Sequence, residues 1–205
     1  MSCGLESQTR QEGLTWLITS TTYGTWLPGD PRGFVGRVRD ARPDDPTTIA
    51  RRIEHDKVNT DYDRDIPGLY AASKGSLKRQ PVWLTSEQAK VVVAQFELTA
   101  RYRSWDLHAT AVMANQFHLV VTAPVSRQTD DLLRDFKSYA SRELNRRWGN
   151  PRGGTWWTAS GSRRRLPTDD AISDAVRYVL NQPRFLARWL NPRLGTIEQW
   201  LHRGE

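Results

Sequence analysis

Two short β-rich runs near the middle of the chain constrain its fold more than any other feature. Residues 107–113 and 117–122 are rich in apolar and β-branched side chains, and three residues separate them. Such runs with so short a connection predict two neighbouring strands, paired as a hairpin or with a bulge. Because side chains alternate along a strand, Gln116 and His118 are expected on one face.

Amphipathic helices are predicted before and after this pair of strands in the chain. The first covers residues 85–104, where Thr85 and Gln88 have the spacing of a capping box. The second has apolar residues at helical spacing between Leu132 and Leu144, and its other side is cationic. Each helix therefore has one face suited to packing.

The N-terminal part predicts a strand followed by a long insertion. Residues 14–26 are rich in β-branched and aromatic side chains, which is typical of a strand. Residues 28–80 are polar, charged and interrupted by proline and glycine, which favours an insertion or lid that is either functional or partly disordered. The length of 205 residues predicts a single domain over residues 1–205.

Charge and cysteine content narrow the possible functions. The formal net charge is +7, with nine tryptophans, which favours nucleic acid over a membrane surface because arginine pairs with phosphates and stacks on bases. A GC-rich genome would give a similar arginine content. The single Cys3 excludes an internal disulfide and a cysteine-based zinc site. The chain lacks an export signal and a membrane-spanning stretch, so we expect a cytoplasmic protein.

A candidate catalytic set combines the strand face with a third predicted helix, residues 168–183. Tyr178 and Gln182 are four residues apart and therefore share a face of this helix. With Gln116 and His118 they form a candidate metal site beside a nucleophile, since an imidazole and amide oxygens can hold Mg²⁺ or Mn²⁺ next to a phosphodiester. The alternative is that the histidine and tyrosine are core residues.

Five segments of the chain carry a resemblance to a known family. They are AVMANQFHLVV, YVLNQP, TTYGTWLPGDPRG, FKSYASRELNRRWG and GGTWWTASGSRRRL. The first resembles the metal-binding strand of the HUH single-tyrosine transposases, where two histidines flank a hydrophobic residue. The second resembles their nucleophile helix, where Gln or Asn follows the tyrosine by four residues. Together the segments look like a REP-associated or insertion-sequence branch of that family.

The resemblance implies a ferredoxin-like α+β fold, with an antiparallel sheet, helices packed on it and the long insertion near the N-terminus. It also implies a metal-dependent DNA transposase that cleaves and rejoins single-stranded DNA, often beside a hairpin. Tyr178 would form a 5′-phosphotyrosine, and His118, Gln116 and Gln182 would bind Mg²⁺ or Mn²⁺. The family includes monomers and dimers, so a homodimer is an open alternative.

Gln116 departs from the family pattern, which has histidine at this position. An amide oxygen can bind a hard cation but lacks the stronger donation of an imidazole. A rival interpretation is therefore a domesticated protein that binds hairpin or single-stranded DNA with weakened or lost catalysis. Tyr139, with Glu143 four residues later, is a competing nucleophile, but the spacing of Tyr178 from His118 agrees better with the family.

The residues expected to contact DNA are chosen by charge, aromatic character and placement. Aromatic rings beside clustered arginines suit stacking on unpaired bases, although paired tryptophans also fill cores. An RNA-binding protein is a weaker alternative, because aromatic residues would then be expected on the central strands. The expected DNA contacts are Arg134, Lys137, Arg142, Trp156, Trp157, Arg163, Arg164 and Arg165.

Overall fold

The computed structural model describes residues 13–31, 37–40, 51–54, 67–151 and 154–202. Both strands and helices occur along this part of the chain. In order, the elements are β1 (Gly13–Thr21), β2 (Arg37–Asp40), β3 (Arg51–Glu54), α1 (Pro67–Gly75), α2 (Ser86–Tyr102), β4 (Asp106–Met113), β5 (Gln116–Pro124), α3 (Thr129–Trp148), β6 (Ser162–Leu166), α4 (Asp169–Leu180), β7 (Phe185–Leu190), a 3-10 turn (Pro192–Leu194) and α5 (Ile197–Leu201).

The strands of the described residues form a five-stranded antiparallel sheet in the order β6-β1-β5-β4-β7, and β2 pairs separately with β3. The elements β1, α2, β4, β5, α3 and β6 follow the βαββαβ sequence of a ferredoxin-like unit. Strand β7 adds a fifth strand beside β4. The predicted α+β fold with an antiparallel sheet is therefore confirmed.

The predicted central pair of strands is a hairpin. Strands β4 and β5 are antiparallel, with Val112 opposite Phe117, and the ladder shifts register between Leu107 and Ala109. The connection has two residues rather than three, because Gln116 already pairs with β1. This hairpin places β5 between β1 and β4, at the centre of the sheet.

Side-chain caps set the starts of two of the helices that cover the sheet, α2 and α4. The Thr85 side chain accepts from the Gln88 N–H at 3.3 Å, and the Gln88 side chain accepts from the Thr85 N–H at 2.9 Å. At α4, the Thr168 side chain accepts from the Ala171 N–H at 3.2 Å. Such caps contribute about 1 kcal/mol each, and both predicted helix starts are confirmed.

Two apolar clusters lie on opposite faces of the sheet. On one face, α2 and α3 pack together, and Phe96 makes edge-to-face contacts with Phe117 and Phe136 at 4.8 and 5.2 Å between ring centroids. On the other face, Val176 and Val179 of α4 belong to a second cluster, which includes residues of β4 and β5. The sheet therefore separates α3 from α4.

Some elements differ from the sequence-based prediction. Strand β1 ends at Thr21 instead of extending to residue 26, because the hydroxyls of Thr22 and Thr25 both donate to the Asn115 carbonyl and hold the chain in a turn. The arginine run 163–165 lies in edge strand β6, an element that is not predicted from the sequence.

Much of the predicted insertion or lid, residues 28–80, lies outside the described residues. The parts that are described include the β2–β3 ladder and α1. The single-domain assignment and the role of this insertion stay predictions. Within the described ranges, no helix has the length and apolar character needed to cross a membrane.

Candidate active site

His118 lies in the central strand β5, on the sheet face that α4 covers. Its neighbour Val120, two residues along the strand, belongs to the α4 cluster. Strand β1 places Thr19 opposite His118 and Thr21 opposite Gln116. The alternation of β5 thus puts Gln116 and His118 on the same face, as the sequence predicts.

The hydrogen bonds of His118 leave one ring nitrogen without a partner. Its Nδ1 shares a hydrogen bond of 2.7 Å with the Thr19 hydroxyl, and its carbonyl accepts from the Thr110 hydroxyl at 3.0 Å. Its Nε2 is buried and has no hydrogen-bond partner among the described residues. A buried polar atom of this kind calls for a ligand or a catalytic explanation.

Burial also decides the charge of His118. The side chain is 4% exposed, and this desolvation lowers the pKa of His118 to about 4. The imidazole is therefore neutral near pH 7. If the Thr19 hydroxyl accepts from Nδ1–H, then Nε2 carries the free lone pair, which is the form that binds a metal or accepts a proton.

Tyr178 lies on helix α4 and contacts His118 of the central strand. The apolar stripe of α4, which includes Val176 and Val179, faces the second cluster, and Tyr178 lies at the edge of this stripe. Its ring packs edge-on against the His118 ring, with 5.4 Å between centroids and 78° between planes. The Tyr178 side chain is 49% exposed, so a substrate can approach it from solvent.

Arg188 is a neighbour of the site that the sequence did not identify. Its guanidinium donates to the Leu180 carbonyl at 2.9 Å, at the end of the helix that carries Tyr178, and lies over the Phe185 ring at 4.2 Å. Across the sheet, Ala111 pairs with both His118 and Arg188. No local motif marks this arginine, because its position beside the site depends on the pairing of β7 with β4.

The donor atoms available for a metal are few and neutral. Within the described ranges, no group of three His, Cys, Asp or Glu residues comes together. Gln182 lies just beyond α4, and its side-chain N–H donates to the Tyr178 carbonyl at 3.1 Å, which keeps it beside the tyrosine. The unpartnered His118 Nε2 fits a metal ligand, but Gln116 and Gln182 can add only amide oxygens. Such a set lacks the carboxylates that hard cations favour and would need phosphate oxygens to complete it.

Tyr139 lies on the other side of the sheet from His118. It belongs to α3, where its ring contacts Tyr102 at 6.1 Å between centroids and its hydroxyl accepts from Arg103 at 3.5 Å. Glu143 is bound by two arginines of the same helix, which lower the pKa of its carboxyl to about 2. The competing nucleophile and its carboxylate therefore do not share a site with His118.

The predicted stacking surface of Trp156 and Trp157 is wrong. Both side chains are only 4% exposed and belong to the core cluster. Trp157 packs edge-on against Phe117 with centroids 5.3 Å apart, and the Trp156 indole N–H donates to the Asn145 side chain at 2.7 Å. Long-range pairing of this segment with the end of β1 carries the two rings inward.

The predicted DNA contact of Lys137 is also wrong, because this side chain is buried as well. The residue is buried, and its ammonium donates to the Thr158 and Ser160 carbonyls at 2.8 and 2.7 Å. Burial lowers the pKa of Lys137 to about 8. Lys137 thus ties the loop before β6 to α3.

The predicted arginine contacts fall into two groups. Three of them already have partners: Arg134 pairs with Asp131, Arg163 pairs with Asp130, and Arg142 lies over the Tyr139 ring. Arg164 and Arg165 are exposed on edge strand β6 and point to opposite faces. Since Arg164 pairs with Leu17, which packs on the α4 cluster, Arg164 is the one on the face of His118.

Comparisons with known proteins give a weak likeness. No family model and no curated protein matches the chain. One similar solved structure is a REP-associated tyrosine transposase bound to a REP hairpin, with a TM-score of 0.45 and 11% identity; the match covers 82% of this chain and 66% of that one. Another is a candidate transposase from Deinococcus radiodurans R1, with a TM-score of 0.43, 14% identity and coverage of 89% and 98%. TM-scores below 0.5 carry no argument about function.

Proposed function

We propose that this chain cuts and rejoins single-stranded DNA, next to a hairpin, with Tyr178 as the nucleophile. The observation that carries the proposal is the edge-to-face contact of Tyr178 with His118, whose buried Nε2 has no partner among the described residues. The two residues are sixty positions apart in the chain. They belong to the segments AVMANQFHLVV and YVLNQP, which resemble the metal-binding strand and the nucleophile helix of the tyrosine transposases.

The proposed reaction conserves the energy of the phosphodiester. The Tyr178 hydroxyl gives its proton to solvent and its oxygen attacks the phosphorus, so that a phosphorus–tyrosine oxygen bond forms while the bond to the 3′-oxygen breaks. The leaving 3′-oxygen takes a proton and becomes a hydroxyl. Attack by a 3′-hydroxyl on the 5′-phosphotyrosine reverses the step and joins DNA without an external energy source.

The side chains around Tyr178 have separate tasks in this proposal. Thr19 orients the imidazole of His118, and burial keeps it neutral. A bound Mg²⁺ or Mn²⁺ would polarise the phosphodiester, and His118, Gln116 and Gln182 are the residues that would hold it. The exposed Arg164 adds positive charge on the same face, where it would attract the DNA backbone.

A second candidate function is DNA binding without cleavage. The neutral donor set favours it, because neither glutamine offers the strong donation of the histidine or carboxylate ligands usual at metal sites. In that case the protein keeps a hairpin or single-stranded DNA partner, and the binding depends strongly on salt. The two functions differ in one observable, which is a covalent bond between protein and DNA.

The test is a search for that covalent bond on a denaturing gel. The substrate is a pool of DNA hairpins with randomised single-stranded flanks, labelled at the 3′ end, since a 5′-phosphotyrosine retains the 3′ part of the strand. Wild type is compared in Mg²⁺ and Mn²⁺ with Tyr178→Phe, which keeps a ring against His118, and with the matched control Tyr139→Phe.

We expect an adduct from wild type and from Tyr139→Phe, and none from Tyr178→Phe. An adduct that persists in Tyr178→Phe would refute the assignment of the nucleophile. Salt-sensitive binding of the pool with no adduct in either metal would support the binding function instead.

A further inference from the structure

Two exposed tryptophans line one groove on the protein surface. All nine tryptophans lie within the described residues, and Trp83 and Trp148 are the most exposed of them, at 58% and 43%. Both border a groove of about 330 Å³, which we call the Trp83–Trp148 groove. Covering an indole ring that is exposed to water is favourable because it removes apolar surface from solvent. A groove bordered by two such rings therefore suits a flat apolar ligand.

The backbone holds Trp83 in this outward position. The N–H of Val82 donates to the Tyr23 carbonyl at 2.9 Å, and the N–H of Leu84 donates to the Ala114 carbonyl at 2.7 Å. Val82 and Leu84 are buried, so alternation along this extended segment directs Trp83 to the surface. These two hydrogen bonds fix the backbone on either side of Trp83, so less conformational entropy is lost when a ligand binds the ring.

Trp148 is held by the end of α3. It is the last residue of the helix, and the following Gly149 closes the helix with its N–H on the Asn145 carbonyl at 2.8 Å. Gly149 has φ of 73°, a conformation that favours glycine. The side chain of Asn145 also accepts from the buried Trp156, which lines the groove from below.

The polar lining of the groove suits a nucleobase on an anionic backbone. Among the described residues that line it, none is acidic, and Gln80 and Asn150 supply amide donors and acceptors. Arg147 precedes Trp148 but does not border the groove; it is 46% exposed, and with Arg146 and Glu143 it leaves one net positive charge on the last turns of α3. A second groove of about 290 Å³ is bordered by Glu97 and Asp106 together with Arg101 and Arg193, so its charged residues balance, and two carboxylates face any polyanion there.

The groove lies at the same end of the sheet as the proposed active site. Ala114, which accepts from Leu84, lies in the turn between β4 and β5, four residues before His118. Val82 and Trp156 of the groove belong to the α2–α3 cluster, whereas Tyr178 lies on the α4 face, so a DNA strand that contacts both sites must pass around this end of the sheet.

We propose that the Trp83–Trp148 groove binds an unpaired base of single-stranded DNA by stacking on its indole rings. The choice of DNA as the polymer rests on the proposed function. The stacking itself does not require cleavage.

The test measures binding of fluorescent oligo(dT) by anisotropy, with an abasic oligonucleotide of equal length as a probe of backbone contacts alone. The variants are Trp83→Ala and Trp148→Ala, the conservative Trp83→Phe and Trp148→Phe, and the control Tyr102→Ala, which removes a 74% exposed ring elsewhere. The intact chain is used throughout, and thermal unfolding of each variant verifies that it is folded.

We expect each alanine variant to raise the Kd for oligo(dT) about tenfold, since stacking on aromatic rings is of this size. Phenylalanine should restore most of the affinity, and Tyr102→Ala should bind like wild type. The Kd for the abasic probe should not change. Wild-type affinity in both alanine variants, or an equal loss for the abasic probe, overturns the proposal, and so does tighter binding of oligo(rU) than of oligo(dT).

The result is separable from that of the adduct experiment. If adducts depend on Tyr178 but the tryptophan variants bind normally, the groove proposal fails and the catalytic function stands. If the tryptophan variants lose stacking and no adduct forms, the groove proposal stands and the cleavage function fails.

Discussion

The Tyr178 ring lies edge-on against the His118 ring, with 5.4 Å between their centroids. This contact joins the helix that covers one sheet face to the central strand of the sheet. It sets an exposed phenol beside a buried, neutral imidazole whose Nε2 has no hydrogen-bond partner in the described part of the chain.

Removal of the Thr19 hydroxyl should destabilise the protein. In Thr19→Val, the buried His118 Nδ1 loses its 2.7 Å partner, and an unsatisfied polar group of this kind costs about 1–3 kcal/mol. Urea unfolding at pH 7 measures the change. Thr19→Ser keeps the hydroxyl and should stay close to wild type; equal stabilities of all three proteins would contradict the assigned hydrogen bond.

A second imidazole on the strand face should strengthen metal binding. Gln116→His places a stronger donor two residues from His118 on the same face. Residues that only hydrogen-bond to a metal ligand already change metal affinity about 10–100-fold. A direct imidazole ligand should therefore lower the Kd for Mn²⁺ by at least about tenfold, as measured by isothermal titration calorimetry.

The yield of the covalent DNA adduct should rise in parallel with Mn²⁺ affinity. Gln116→Asn, which keeps an amide, is the matched control and should not gain affinity. Unchanged Mn²⁺ affinity in Gln116→His would argue against a metal site that includes residue 116.

Lys137 should make the free energy of unfolding depend on pH in the alkaline range. Burial lowers its pKa from the ordinary lysine value of 10.5 to about 8 in the folded protein. Between these values the unfolded chain binds a proton that the folded chain does not, so the free energy of unfolding rises with pH through this window. The limiting slope is about 1.4 kcal/mol per pH unit.

The difference between wild type and Lys137→Met isolates this contribution from the other titrating groups. Denaturant unfolding from pH 7 to 11 should show wild type gaining stability relative to the variant above about pH 8. A constant difference across the range would show that the Lys137 ammonium is not desolvated.

Truncation of a buried tryptophan should cost far more than truncation of an exposed one. Trp157→Ala removes a ring that packs on Phe117, and a loss of about 3–5 kcal/mol is expected. Trp83→Ala, at an exposed position, should change stability by about 0.5 kcal/mol or less. Urea unfolding distinguishes them, and similar small losses for both would restore Trp157 as a surface residue.

Signals that act over a few residues were sufficient for much of the fold. The caps at Thr85 and Thr168 form within one turn of helix, so their hydrogen bonds are encoded locally. The hairpin follows from two β-rich runs with a short connection. Helical spacing also placed Tyr178 beside the apolar stripe of α4, where the structure has it.

The choice between the two tyrosines needed the sheet. Sequence spacing left Tyr139 as a rival of Tyr178, because both lie on amphipathic helices with a polar residue four positions later. In the structure α3 and α4 cover opposite faces, and His118 faces α4. Which face a helix covers depends on strand order, which local patterns do not encode.

The sequence by itself determined helices α2, α3 and α4, the central hairpin, the basic charge and the shared face of Gln116 and His118. The tertiary structure alone decided which aromatic residues face solvent. Trp157 is drawn into the core by its pairing with Thr22, whereas Trp83 is turned outward by the backbone bonds of its two neighbours. These contacts join segments far apart in the chain, and burial follows from such contacts rather than from the chemical nature of the residue.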